Sequence, residues 1–91
     1  MATLHMETDV ARETEQSLAS RHEVVVSEVG GMLSAVSNLR SNWQGNSASQ
    51  FFQEFEQWHS AMGKMLEELS RMDSRLGQEI SQWEQTAARF E

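Results

Sequence analysis

With 91 residues, no cysteine and no proline, the chain is bounded to a single small domain near the size where one core gives only a modest stability margin, without disulfides or thiol chemistry. The formal charge of −7 is spread evenly, six acids against three bases through Gly45 and eight against four from Asn46, so no basic face exists for nucleic acid or anionic lipid. The opening Met1-Ala2-Thr3-Leu4-His5-Met6-Glu7 lacks the cationic and apolar blocks of a signal peptide, and no run approaches the ~20 apolar residues of a membrane span. Ordinary targeting signals thus point to the cytosol.

Residues 1–7 show no apolar stripe and are expected to be disordered. From about 8 to 41, Ala11, Glu15, Leu18, His22, Val25, Val29, Met32, Val36, Leu39 and Trp43 recur in alternating steps of four and three. This heptad seam lets one helix pack lengthwise on another. Val24-Val25-Val26 gives a competing strand signal, yet the seam passes through the valines without losing phase and predicts helix. Gly30-Gly31 in mid-helix marks a weak point or a place where another helix comes close.

Residues 42–46 read as a turn. Gly45 is placed just past the end of helix one, where a left-handed conformation costs glycine nothing. Ser47 is expected to start helix two, with Gln50 reaching back as the other half of a Ser-x-x-Gln capping box. Helix two should run from about 47 to 88 on a seam of Ala48, Phe51, Phe55, Trp58, Met62, Met65, Leu69, Met72, Leu76, Ile80, Trp83, Ala87 and Phe90. Two steps of four in succession at Met72, Leu76 and Ile80 form a stutter, which predicts locally straightened rods. Glu67 and Arg71 are a solvated pair on the wet face.

Folding the seams around Gly45 predicts an all-α antiparallel helical hairpin. Leu39 then faces Phe51 or Phe52, Val36 faces Phe55, Met32 faces Trp58, Val29 faces Met62, Val25 faces Met65 or Leu66, and His22 lies opposite Leu69. Trp43 should cover the end of the core at the bend. Each arm is roughly 50–60 Å long at the helical rise. Val24, Val26, Leu33, Phe52, Leu66 and the methionines widen the stripe beyond what one helix can cover. A second hairpin, identical or paralogous, would complete a four-helix bundle.

Little suggests catalysis or a cofactor. His5, His22 and His59 have no partner three or four residues away, so metal-ligand spacing is missing. The carboxylates follow helical surface patterns without a nucleophile–base motif or a dry cleft. The Met and aromatic stripe of helix two is read as core, with a Met-rich docking groove as its alternative. These readings favour a binding protein over an enzyme.

A Trp-x-Gly turn between two matched helices, Trp43-Gln44-Gly45, resembles the small WxG, or Esx-like, substrates of type VII secretion systems, and the resemblance covers the whole chain. It implies a dimer of hairpins folded as a four-helix bundle, cytoplasmic before export and then secreted without a cleaved signal. It also implies recognition by the secretion ATPase, and a role as co-secreted subunit, effector or escort for a larger effector. In that family the Trp-x-Gly turn lies near the C-terminal helix of the partner subunit, where a Tyr-x-x-x-Asp/Glu motif completes the export signal. This chain has no Tyr, and Trp83 is followed four residues later by Ala87. The spacing Ile80, Glu84, Ala87 is the looser candidate for a C-terminal signal; otherwise a partner chain supplies it. A homodimer is favoured over a paralogous pair, since few polar seam positions encode selective pairing. The rival reading is a cytosolic helical adaptor, structural or coiled-coil, unrelated to secretion.

Overall fold

A computed structural model describes residues 5–89 of the chain, with side-chain surroundings through Ala87. Within that range the fold is a hairpin of two long helices, α1 from Thr8 to Arg40 and α2 from Asn46 to Arg89. It measures 69 × 24 × 15 Å, which matches a rod as long as α2 at ~1.5 Å per residue. Residues 5–7 precede α1 without regular structure. Phe90, the last seam position named above, lies outside the described residues.

Heptad spacing explains why both rods stay helical. Val24, Val25 and Val26 remain within α1: half-burying one side of the run against α2 outweighs the modest β-branched preference for strand. Gly30 and Gly31 also stay helical and exposed, with open space where a Cβ would stand. The close helix approach their pairing suggested is therefore not made inside the hairpin. At Gly77 it is a side chain that comes close: an added Cβ would lie 2.9 Å from a Glu15 carboxylate oxygen.

The largest difference from the sequence expectation is the phase of α2. Apart from Gly77, whose half-burial comes from the Glu15 side chain, its buried or half-buried residues are Ala48, Phe52, Phe55, His59, Met62, Leu66, Leu69, Asp73, Leu76, Ile80 and Trp83. These alternate in steps of four and three throughout, so the seam facing α1 has no stutter and needs no straightened section. Phe51, Trp58, Met65 and Met72 are exposed instead, as are Met32 and Leu39 on α1. One helix can shield only two adjoining rows of another, and α1 shields the row beginning at Phe52. Leu18, Val25, Val29 and Val36 do face α2, with Val29 buried.

Four hydrophobic residues are buried outright, Val29, Ala48, Phe52 and Ile80. Three lie in the half nearer the bend, and Ile80 closes the open end.

Candidate functional site

The bend is built from the end of α1. The Ser41 N–H donates to the Asn38 carbonyl at 3.2 Å and the Asn42 N–H to the Leu39 carbonyl at 2.9 Å, tightening the last turn and occupying carbonyls a helix otherwise leaves open. The Asn42 side-chain amide donates to the Asn38 carbonyl as well, at 2.9 Å. Helix α1 thus ends without a left-handed glycine. Gly45 does have φ of +118°, but it sits five residues beyond Arg40 and serves the start of α2. Its carbonyl accepts from the Ser49 N–H at 3.0 Å, the first link of the new helix. Ser47 is therefore already inside the first turn, where a capping residue's extended backbone is not available to it. Among the described residues neither Ser47 nor Gln50 makes a side-chain hydrogen bond, so the expected capping box is replaced by a backbone cap at Gly45.

Trp43 rests on two adjoining phenylalanines, its ring centroid 5.8 Å from both Phe51 and Phe52, which lie 5.5 Å from each other. All three pairs are tilted or edge-on, the geometry aromatic rings prefer. Phe52 is buried, whereas Trp43 and Phe51 keep 37% and 40% of their surface. Arg40, in the last turn of α1, lies over the Phe52 ring at 4.8 Å and donates to Glu56 at 2.9 Å. An open notch between Arg40, Trp43, Gln44, Ser49 and Glu56 leaves the indole accessible. Arg40 and its place over Phe52 escaped the sequence reading; a cation closing a helix just before a Phe-Phe pair was the available signal.

At the open end Arg12 holds two acids. It donates to Glu15 at 3.1 Å and to Glu84 across the hairpin. The bond to Glu84 is the leading cause that raises the guanidinium's pKa above its ordinary value, with Glu15 adding to it. Of the candidate C-terminal signal, Ile80 is fully buried, Glu84 carries this bridge, and Ala87 is exposed. Trp83 is half-buried.

Midway along, the seam turns polar. His22 donates from Nε2 to the Leu66 carbonyl at 3.1 Å, and a small gap beside it is lined by Leu18, Leu69, Ser70 and Asp73. One carboxylate oxygen of Asp73 is buried there without a hydrogen-bond partner. Among the described residues no three His, Asp or Glu side chains gather as a metal-binding group, and no helix is long and apolar enough to cross a membrane.

The family model WXG100, described as proteins of 100 residues with WXG, matches residues 3–88. No curated protein and no solved structure matches the chain.

Proposed function

This chain belongs to the WXG100 family, and from that premise we propose that it is a small substrate of a type VII secretion system, exported as a folded pair of hairpins. It acts by binding other proteins, as co-secreted subunit, effector or escort for a larger effector. The observation that carries this reading is the position and accessibility of Trp43: it stands at the bend, braced by Phe51 and Phe52 yet 37% exposed. A tryptophan needed only as a core plug would be buried, since large aromatic surface gains most when removed from water. The secretion ATPase is the partner proposed to read this end of the molecule. The exposed row of α2 supports pairing with a second hairpin, identical or paralogous.

Deleting the secretion ATPase in the native host and assaying the culture medium tests the reading. The chain is expected to vanish from the medium and accumulate in cells; an unchanged extracellular level overturns it. Trp43→Ala separates export from packing. The variant is expected to remain helical and paired yet stay in the cell, and wholesale unfolding would assign the indole to stability alone.

A further inference from the structure

The two ends of the hairpin are held by different forces. Three of the four outright buried hydrophobic residues lie in the half nearer the bend, and only Ile80 lies toward the open end. Between them the seam carries His22 and Asp73, one carboxylate oxygen of which has no hydrogen-bond partner. A segment with few buried apolar residues and much exposed charge opens on its own while the rest stays packed. The charge here is also of one sign. Residues 7–16 and 77–87, which share the open end, carry Glu7, Asp9, Glu13, Glu15, Glu79 and Glu84 against one base, Arg12. Like charges on neighbouring helices repel, and exposed ones do so over about 10 Å at ~0.1 M salt.

Arg12 stands where that repulsion is countered. One side chain donates to Glu15 on its own helix and to Glu84 across the hairpin, a division that the forked guanidinium allows and the point charge of a lysine does not. Glu15 can lie against α2 because Gly77 has no side chain in its way. We propose that Arg12 is a latch: a lone cation that keeps two like-charged arms together, and whose release lets the open end spread while the bend half remains a hairpin. The side chains of Arg12 and Glu84 keep 40% and 45% of their surface, so a competing anionic group can reach the guanidinium without disturbing the core. Release therefore changes the shape of one end only. The latch belongs to the hairpin itself and is independent of export.

The chain has no native cysteine, so spin labels on engineered thiols read the geometry directly. Labels at Thr14→Cys and Gln82→Cys report the open end, and labels at Ser37→Cys and Gln57→Cys the bend half. Labelled chains are diluted with unlabelled ones so that only distances within one chain are measured. In Arg12→Gln the open-end distance is expected to lengthen and broaden, the spread fraction rising roughly two- to fivefold, while the bend pair and the helical circular dichroism match wild type. Adding about 1 M salt to Arg12→Gln is expected to bring the arms back together, because only screened repulsion then holds them apart. Loss of a merely structural hydrogen bond would not be reversed by salt. Arg12→Glu alone is expected to spread the end further, and Arg12→Glu combined with Glu84→Arg to restore the narrow distance, since that exchange leaves the charge count unchanged. An open end in Arg12→Gln indistinguishable from wild type overturns the latch. So does a spread that salt leaves in place, that the charge exchange fails to reverse, or that appears equally in the bend pair.

Discussion

Two neighbouring rows of α2 carry chemistries opposite to what their positions suggest. The row packed against α1 contains Phe52, His59, Leu66 and Asp73, two of them ionisable, whereas the row one position earlier, Phe51, Trp58, Met65 and Met72, is wholly apolar and faces outward. A helix built only to complete its own hairpin would place its greasiest row inward, because burial of apolar area is the main favourable term in folding. The contrast teaches that hydrophobicity and burial part company along this helix: the inner row sets the hairpin, and the outer row is left exposed by it.

The sharpest test of this contrast uses adjacent residues. Phe52→Ala is expected to lower unfolding stability by ~3–5 kcal/mol. Phe51→Ala should lower it by only roughly 1–2 kcal/mol, reflecting its partial burial. Equal losses in urea melts would erase the distinction between the rows. Asp73→Leu probes the polar member of the inner row. Removing an orphaned buried acceptor is expected to stabilise by ~1–3 kcal/mol, read as a higher urea midpoint with an unchanged slope; destabilisation would mean that the carboxylate has a partner. At the bend, Gly45→Ala meets no neighbouring atom within 4 Å, so its expected cost of ~1–3 kcal/mol is purely one of backbone conformation. The smallest effect belongs to Gly30→Ala and Gly31→Ala, each expected to raise stability by ~1 kcal/mol through helix propensity. A loss of dimer mass in either variant would show that a second helix crosses α1 there.

The two helices and the bend were legible because 3.5-residue periodicity and a glycine-centred break are strong signals in a chain without proline. The phase of α2 was not. Choosing seam positions by hydrophobicity selects Phe51, Trp58, Met65 and Met72 over Phe52, His59, Leu66 and Asp73. Side-chain polarity says which residues avoid water, but not which partner covers them. The stutter at Met72, Leu76 and Ile80 was the clue, since moving Phe51, Trp58, Met65 and Met72 each one position on, to Phe52, His59, Leu66 and Asp73, restores an unbroken heptad. Likewise Ser47 and Gln50 fit a capping pattern in sequence, and only the one-residue earlier start at Asn46 transfers that task to Gly45. The bridge from Arg12 to Glu84 joins residues far apart in the chain, and its register emerges only once the rods are aligned.

Ile80 has no accessible surface at all, although it is the first residue of the spacing that ends in Glu84 and Ala87. A docking protein that must touch the isoleucine side chain would first have to prise the tail of α2 away from α1, dissolving the Arg12 clasp as it does so. Recognition through Ile80 would thus be coupled to local melting, and its affinity discounted by whatever that opening costs. A receptor content with Glu84 and Ala87 would bind the closed molecule without this toll.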